Sequence, residues 1–187
     1  MRRCLCFGSF AIAIALATGA AAAEPREFCS SRPGLGTPPC TVEPGRAVFE
    51  LGLADWERDD QPDMRTDKLV YADMLARVGL DDVTEAQVGW TAFGSTRTRD
   101  RMTGQVMRER GIGDVRLGLR RSLSGPDGNI AIQPFVTLPT GGNAIGAGDW
   151  GAGVVVPMAF ELGKDLTLAF SPEIDAAVDE DRSGRHL

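Results

Sequence analysis

The sequence predicts an all-β fold, an antiparallel up-and-down meander of seven strands belonging to a larger transmembrane outer-membrane β-barrel. Three observations predict it. From Ala47 to Asp175 apolar and polar residues alternate with period two, the period of a strand and not of a helix. Long and short connections also alternate, which sends them to opposite edges of one sheet. The chain opens with an export signal, which takes it out of the cytoplasm.

The alternation is clearest from Ile130 to Leu162. Ile130, Ile132, Pro134, Val136 and Leu138 form an apolar face opposite Ala131, Gln133, Phe135 and Thr137. After Pro139 to Asp149 the same parity resumes, with Trp150, Ala152, Val154, Val156, Met158, Phe160 and Leu162 opposite Gly151, Gly153, Val155, Pro157, Ala159 and Glu161. A soluble sheet can carry this pattern with its apolar face turned inward, so the rest of the chain decides which solvent that face meets.

Met1-Arg2-Arg3 is a basic start, Leu5 to Leu16 an apolar core and Ala17 to Ala23 a small-residue tail. Residues 1–23 therefore read as a signal peptide cleaved after Ala23. The core is shorter than the ~20 residues of a spanning helix, and Glu27-Phe28 before Cys29 does not supply the context of a lipoprotein site. Cys4 and Cys6 leave with the signal. Of 20 basic residues 18 remain against 26 acidic ones, a net charge of −8, so nucleic acid is not an expected partner. Cys29 and Cys40 remain in an exported chain and are expected to pair.

Residues 24–45 carry Pro25, Pro33, Pro38, Pro39 and Pro44 with Gly34 and Gly36, a composition that breaks helix and strand. They form an extended, disulfide-tied lead-in to residues 46–187, the N-terminal part of the barrel. The first strand starts at Ala47 and runs to Ala54, and Glu57 to Asp63 is a polar loop. The second spans about Asp67 to Gly79 and turns at Leu80-Asp81-Asp82, and the third runs from Glu85 to Ala92. Gly94 to Gly111 is a long charged connection before the fourth strand, Asp114 to Arg120. Ser122 to Asn129 is a turn, the hairpin above gives strands five and six, and Leu166 to Asp175 is the seventh. Each strand is near the ~9–11 residues of a tilted membrane strand.

Parity places Glu50, Asp73, Arg77, Glu85, Gln87, Asp114, Arg116, Arg120, Gln133, Glu161, Glu173 and Asp175 on one face. Charges there can pair or meet water, whereas Lys or Arg facing mid-bilayer lipid costs about 2–4 kcal/mol, so this face is expected to line the lumen. Trp90 and Trp150, at the loop-side ends of the apolar face, suit an outer aromatic girdle.

Several stretches resemble a known family. They are Cys29 to Cys40 with Arg32-Pro33-Gly34-Leu35-Gly36-Thr37, the Val78 to Trp90 hairpin, Gly111-Ile112-Gly113-Asp114, and Leu138-Pro139-Thr140-Gly141-Gly142 through Gly148-Asp149-Trp150-Gly151. Together they are similar to proteobacterial outer-membrane transporter-like proteins grouped with the phenol-degradation meta-pathway barrels. The resemblance spans the mature chain and rests on turn and strand signatures. It implies a barrel in outer-membrane lipid, placed by the barrel-insertion machinery, and suggests aromatic or other hydrophobic solutes. That family continues to a C-terminal strand ending on an aromatic residue. This sequence ends in Asp179 to Leu187 after an odd strand, and single-chain bacterial barrels have an even count of at least eight. The sequence is therefore expected to be C-terminally truncated.

Other chemistries fit poorly. The Gly141 to Gly148 loop lacks the Lys-Ser/Thr of a phosphate-binding loop and leads into a strand, so it reads as a flexible extracellular loop. His186 is the single histidine, without the partners of a hydrolase triad. No His/Cys cluster has metal-ligand spacing, and Asp179, Glu180 and Asp181 read as a solvated loop. Arg97, Arg99, Arg101, Arg108 and Arg110 are an extracellular loop cluster, either an anion-binding patch or a solvated loop balanced by Asp100 and Glu109. The expected function is a non-enzymatic, cofactor-free outer-membrane channel passing small solutes. The alternative is a soluble periplasmic β-sandwich or barrel that binds a ligand, and a third class is a barrel enzyme.

Overall fold

The computed structural model of the chain describes residues 11–16, 26, 29–31, 36–164, 166–178 and 184–186. Its strands in order are β1 (Ala11–Leu16), β2 (Ala47–Asp60), β3 (Met64–Asp81), β4 (Thr84–Asp100), β5 (Val106–Gly111), β6 (Val115–Ser122), β7 (Ala131–Leu138), β8 (Gly151–Val155), β9 (Met158–Glu161), β10 (Thr167–Phe170), β11 (Glu173–Val178) and β12 (Arg185–His186). One antiparallel sheet runs β1-β2-β3-β4-β6-β7-β8-β11-β12, with β5 paired to β4, and β9 pairs with β10. The fold is the all-β antiparallel meander that the alternation predicts, open among the described residues. None of its described elements is a helix able to cross a membrane.

Burial follows the pleat. In β2, Val48, Glu50 and Gly52 are buried while Ala47 and Phe49 are exposed, and β6 and β7 repeat the rhythm around Arg120 and Gln133. One face is therefore covered and the other is not.

The boundaries differ from expectation where side chains are polar. Glu57 to Asp63 is not a long loop, because β2 and β3 stay zipped to the pair Asp60 and Arg65. Gly94 to Gly111 is likewise a hairpin, with β4 continuing to Asp100 and returning as β5. Backbone hydrogen bonds do not depend on side-chain polarity, and Asp67 is neutralised by Arg58 across the first hairpin at 2.6 Å and by Arg65 on its own strand at 3.1 Å. The expected long loops are thus overhanging strands with short tips, and the link after β7 remains a loop.

The sixth and seventh expected strands are each broken once, at Pro157 and at Pro172. Proline has no N–H to give the ladder, yet the carbonyls still work: Pro157 O accepts from Ala131 N and Pro172 O from Val156 N, each at 2.9 Å. The hairpin is bent without being cut. Ala11 to Leu16, the second half of the Leu5 to Leu16 core of the expected signal, is strand β1 on the free edge of β2, from Ala11 opposite Gly52 to Leu16 opposite Ala47.

A second irregularity lies inside β3. Ala72 has φ 50° between Tyr71 and Asp73, both of which stay in register with β2 and β4. The two faces reverse at this level. By strict alternation Phe93 belongs with buried Glu85 and Gln87, yet Phe93 and its cross-strand neighbour Tyr71 are about two-fifths exposed, at 43% and 40%. Gly94, by parity a partner of exposed Val88, is buried under Ile145.

A left-handed alanine costs about 1–2 kcal/mol, and more with a branched Cβ. Ala72→Val, an improvement for an ordinary strand position, is therefore expected to destabilise the fold by about 2 kcal/mol, whereas Ala72→Gly is near neutral. Urea midpoints in detergent or lipid read this difference, and a more stable valine variant would refute the left-handed backbone.

Candidate functional site: the inner face and its cover

Six of the twelve residues expected to line the lumen converge near the tight-turn end. β2 contributes Glu50, β3 Arg77, β4 Glu85 and Gln87, β6 Arg120 and β7 Gln133, and none is more than 6% exposed. Their shared parity puts them on one face, and the register puts neighbours within reach.

Arg77 pairs with Glu85 at 3.0 Å and Glu50 at 3.2 Å, and Arg120 pairs with Glu85 at 3.3 Å. Gln87 donates to Glu85 at 2.6 Å, and Arg120 Nε donates to Gln133 at 2.8 Å. Two cations and two anions cancel. Burial of such charges is tolerable only where their remaining donors and acceptors are also met.

The lead-in meets them. Cys29 and Cys40 are disulfide-bonded as expected, with Cα atoms 6.1 Å apart, and their carbonyls accept hydrogen bonds from the network. Arg77 donates to Cys29 O at 2.5 Å and Cys40 O at 3.3 Å, and Arg120 donates to Cys40 O at 3.0 Å. In return Val42 N donates to Glu85 at 2.6 Å and Ser31 N to Glu50 at 3.1 Å. Farther along the sheet, Thr37 N donates to Ser171 Oγ, which donates back to Thr37 O, both at 3.0 Å.

The lead-in is therefore a cover lying inside the curl of the sheet, more than a simple tether. At this end the residues expected to face lumen water face protein instead. The physical reason is that dry guanidinium groups need more acceptors than the neighbouring strands offer, and a segment without a ladder of its own has carbonyls to give.

Entry of the lead-in depends on one glycine. Pro44 forms a parallel bridge with Gly79, and Gly45 N to Gly79 O and Gly79 N to Arg46 O are each 3.0 Å. A Cβ on Gly79 would lie 2.0 Å from Glu43 O and 2.5 Å from Val42 O, backbone atoms that cannot move alone. Gly79→Ala is expected to undock residues 42–46, with loss of amide-exchange protection at Val42. Unchanged protection would show that the close approach is not needed.

At the loop end, Asp114 accepts from Gly141 N at 2.8 Å and Gly148 N at 3.1 Å. Ile145 packs on Gly94, and Thr96 Oγ1 donates to Ala144 O at 3.4 Å. The glycine-rich segment is folded onto the sheet, so it is not the flexible loop its composition suggests. Gly146 must lack a side chain there, since a Cβ would sit 2.6 Å from the Asp114 carboxylate.

The remaining expected lumen residues are dispersed. Thr91 donates to Asp73 at 3.0 Å, and Arg116 pairs with Glu173 at 3.2 Å while lying 3.4 Å over the Phe135 ring. Asp175 is half-buried, and Glu161 is exposed at the end of β9, outside the network. The carbonyls of Cys29 and Cys40 and the amides of Ser31 and Val42 escape sequence reasoning, because any residue carries such groups.

The arginine cluster does not sit in a loop. Arg97 and Arg99 are in β4, Arg108 and Arg110 in β5, and Arg101 at the tip pairs with Asp60 and donates to Gln61 O at 3.0 Å. Asp100 does not balance them. Its carboxylate accepts from Met102 N and Thr103 N, both at 2.8 Å, and chiefly the Thr103 amide holds its pKa below the ordinary carboxylate value.

Among the described residues no group of three or more His, Cys, Asp or Glu side chains could hold a metal ion, and Asp179, Glu180 and Asp181 lie outside them. The arrangement is a dry, neutral, hydrogen-bonded closure at one end and a folded loop at the other. No protein-family model, curated protein or solved structure matches the chain.

Proposed function

We propose that the chain is the N-terminal part of a non-enzymatic outer-membrane β-barrel that passes small solutes along its polar inner face, with the disulfide-tied lead-in as an internal constriction. One observation carries this reading. The sheet buries Glu50, Arg77, Glu85 and Arg120 on one face and exposes Phe49, Leu53, Val78, Val88, Leu117, Leu119, Ile132 and Val154 on the other. In water that distribution is inverted, and in lipid it is the required one.

The resemblance to the phenol-degradation meta-pathway barrels adds a solute class, aromatic or otherwise hydrophobic, and the insertion machinery as a partner. The mixed charges and the folded Gly141 to Gly148 loop would set selectivity. The soluble periplasmic ligand-binding reading needs an apolar interior, yet the buried hydrophobic residues among those described are Val42, Val48, Ala131 and Val155, too few for a soluble domain of this size.

Cell fractionation tests the proposal. The chain, expressed in its natural reading frame, is expected in outer membranes, resistant to carbonate and released by detergent, with heat-modifiable mobility on gels. Release by carbonate alone would favour the soluble protein.

A further inference from the structure

We infer that the outward face of the β3–β4–β5 overhang binds the phosphate groups of the surrounding lipid headgroups, an assignment that rests on the membrane reading above. Register brings together arginines that are scattered in sequence. Arg65 stands opposite Arg99, Arg97 opposite Arg108, and Arg110 opposite Ser95 on the next rung. Arg58 joins them through its partner Asp67, which also stands opposite Arg97.

These six arginines share one face with two carboxylates, Asp67 and Asp60, and Asp60 stands opposite Arg65 but pairs with Arg101 at the tip. Asp67 pairs with Arg58 at 2.6 Å, Arg65 at 3.1 Å and Arg97 at 3.9 Å, while Arg99, Arg108 and Arg110 have no ion pair among the described residues and are exposed. Glu109 is opposite Thr96, so alternation turns it to the other face. Like charges directly opposite each other weaken a sheet. Two such pairs on adjacent strands point to an anionic ligand, and the planar guanidinium fork suits phosphate.

The position of the patch identifies the source of that anion. Gly94 and Thr96, on the opposite face of the overhang, are covered by Ile145 and Ala144, so the arginine face is the outward one. Directly below the arginines it carries Trp56, with Arg58 stacked 4.4 Å above its ring, and then Tyr71 against Phe93 at 6.2 Å. Aromatic side chains of this kind lie at the level of lipid headgroups. Arginines one or two rungs above them reach the phosphates, and a solute in the lumen would meet the other face.

Flotation of the full chain with vesicles of the phosphate-free glycolipid digalactosyldiacylglycerol tests this, the vesicles containing either diphosphorylated lipid A or the same lipid stripped of phosphate. The native chain is expected to favour the phosphorylated vesicles, with a steep salt dependence. In Arg99→Gln/Arg108→Gln/Arg110→Gln each lost charge weakens association about five-fold, on the order of a hundred-fold together. The triple Lys variant recovers part of that.

These variants remove no pair seen in the fold and relieve repulsion, so their folding is expected to be intact. Equal association of the native chain with both vesicles overturns the phosphate assignment while leaving the membrane reading intact. Association with neither overturns both. Binding of free pyrophosphate as tight as binding to the vesicles would assign the patch to a dissolved anion and overturn the lipid source.

Discussion

Arg77→Met is expected to be the most damaging single substitution in the chain, costing about 3–5 kcal/mol of stability. Arg77 is fully buried and joins Glu50, Glu85 and the carbonyls of Cys29 and Cys40. Methionine fills much of the volume but leaves the Cys29 carbonyl uncapped and the Glu50 carboxylate unpaired, while the Cys40 carbonyl keeps Arg120. Glu50 is the weak point, because its Oε2 has no hydrogen-bond partner among the described residues even with arginine present. Glu85 keeps Arg120.

Arg77→Lys is expected to recover only part of the loss, since one ammonium cannot span the positions that the fork holds. Adding Glu50→Gln to Arg77→Met should restore some stability by removing the stranded charge. Urea unfolding of the refolded chain measures all three. A cost below about 1 kcal/mol for Arg77→Met would mean that the network is wet and exchangeable.

The second large effect is expected from Cys29→Ser/Cys40→Ser. Opening a loop with a sequence separation of 11 removes about 3 kcal/mol by chain-entropy reasoning. It also unfixes two of the carbonyls that Arg77 and Arg120 use. The amides of Ser31 and Val42, which donate to Glu50 and Glu85, should lose exchange protection in the variant and in the reduced native chain alike. In a closed barrel the variant is expected to conduct more than the native protein. Full protection after reduction would show that the charged network alone holds the cover.

Much of this site is legible in the sequence, for a physical reason. Period-two alternation is imposed by the pleat, so parity alone assigns Glu50, Arg77, Glu85, Gln87, Arg120 and Gln133 to one face. The partner of that face is not legible. The lead-in has no ladder of its own, and it docks by main-chain groups that every residue carries.

The hairpin overhangs are hidden for a related reason. Runs such as Arg97 to Arg101 look like loops because side-chain polarity stands in for solvation, whereas strand pairing needs only backbone groups. Ala72 gives no warning at all, since alanine signals neither a bulge nor a turn. Strict parity consequently misplaces everything above it, and puts Tyr71, Phe93, Arg97 and Arg99 together on the lumen face rather than on the outward one.

The bond between Thr37 and Ser171 joins positions 134 residues apart and carries a consequence for assembly. The lead-in emerges well before its distant partner Ser171 is made. A segment covered by strands is not readily threaded beneath them afterwards, so residues 29–31 and 36–44 must already lie across β2, β3 and β4 when the later strands wrap over. The order of events is that of a cooper who sets the bung before the final staves are raised.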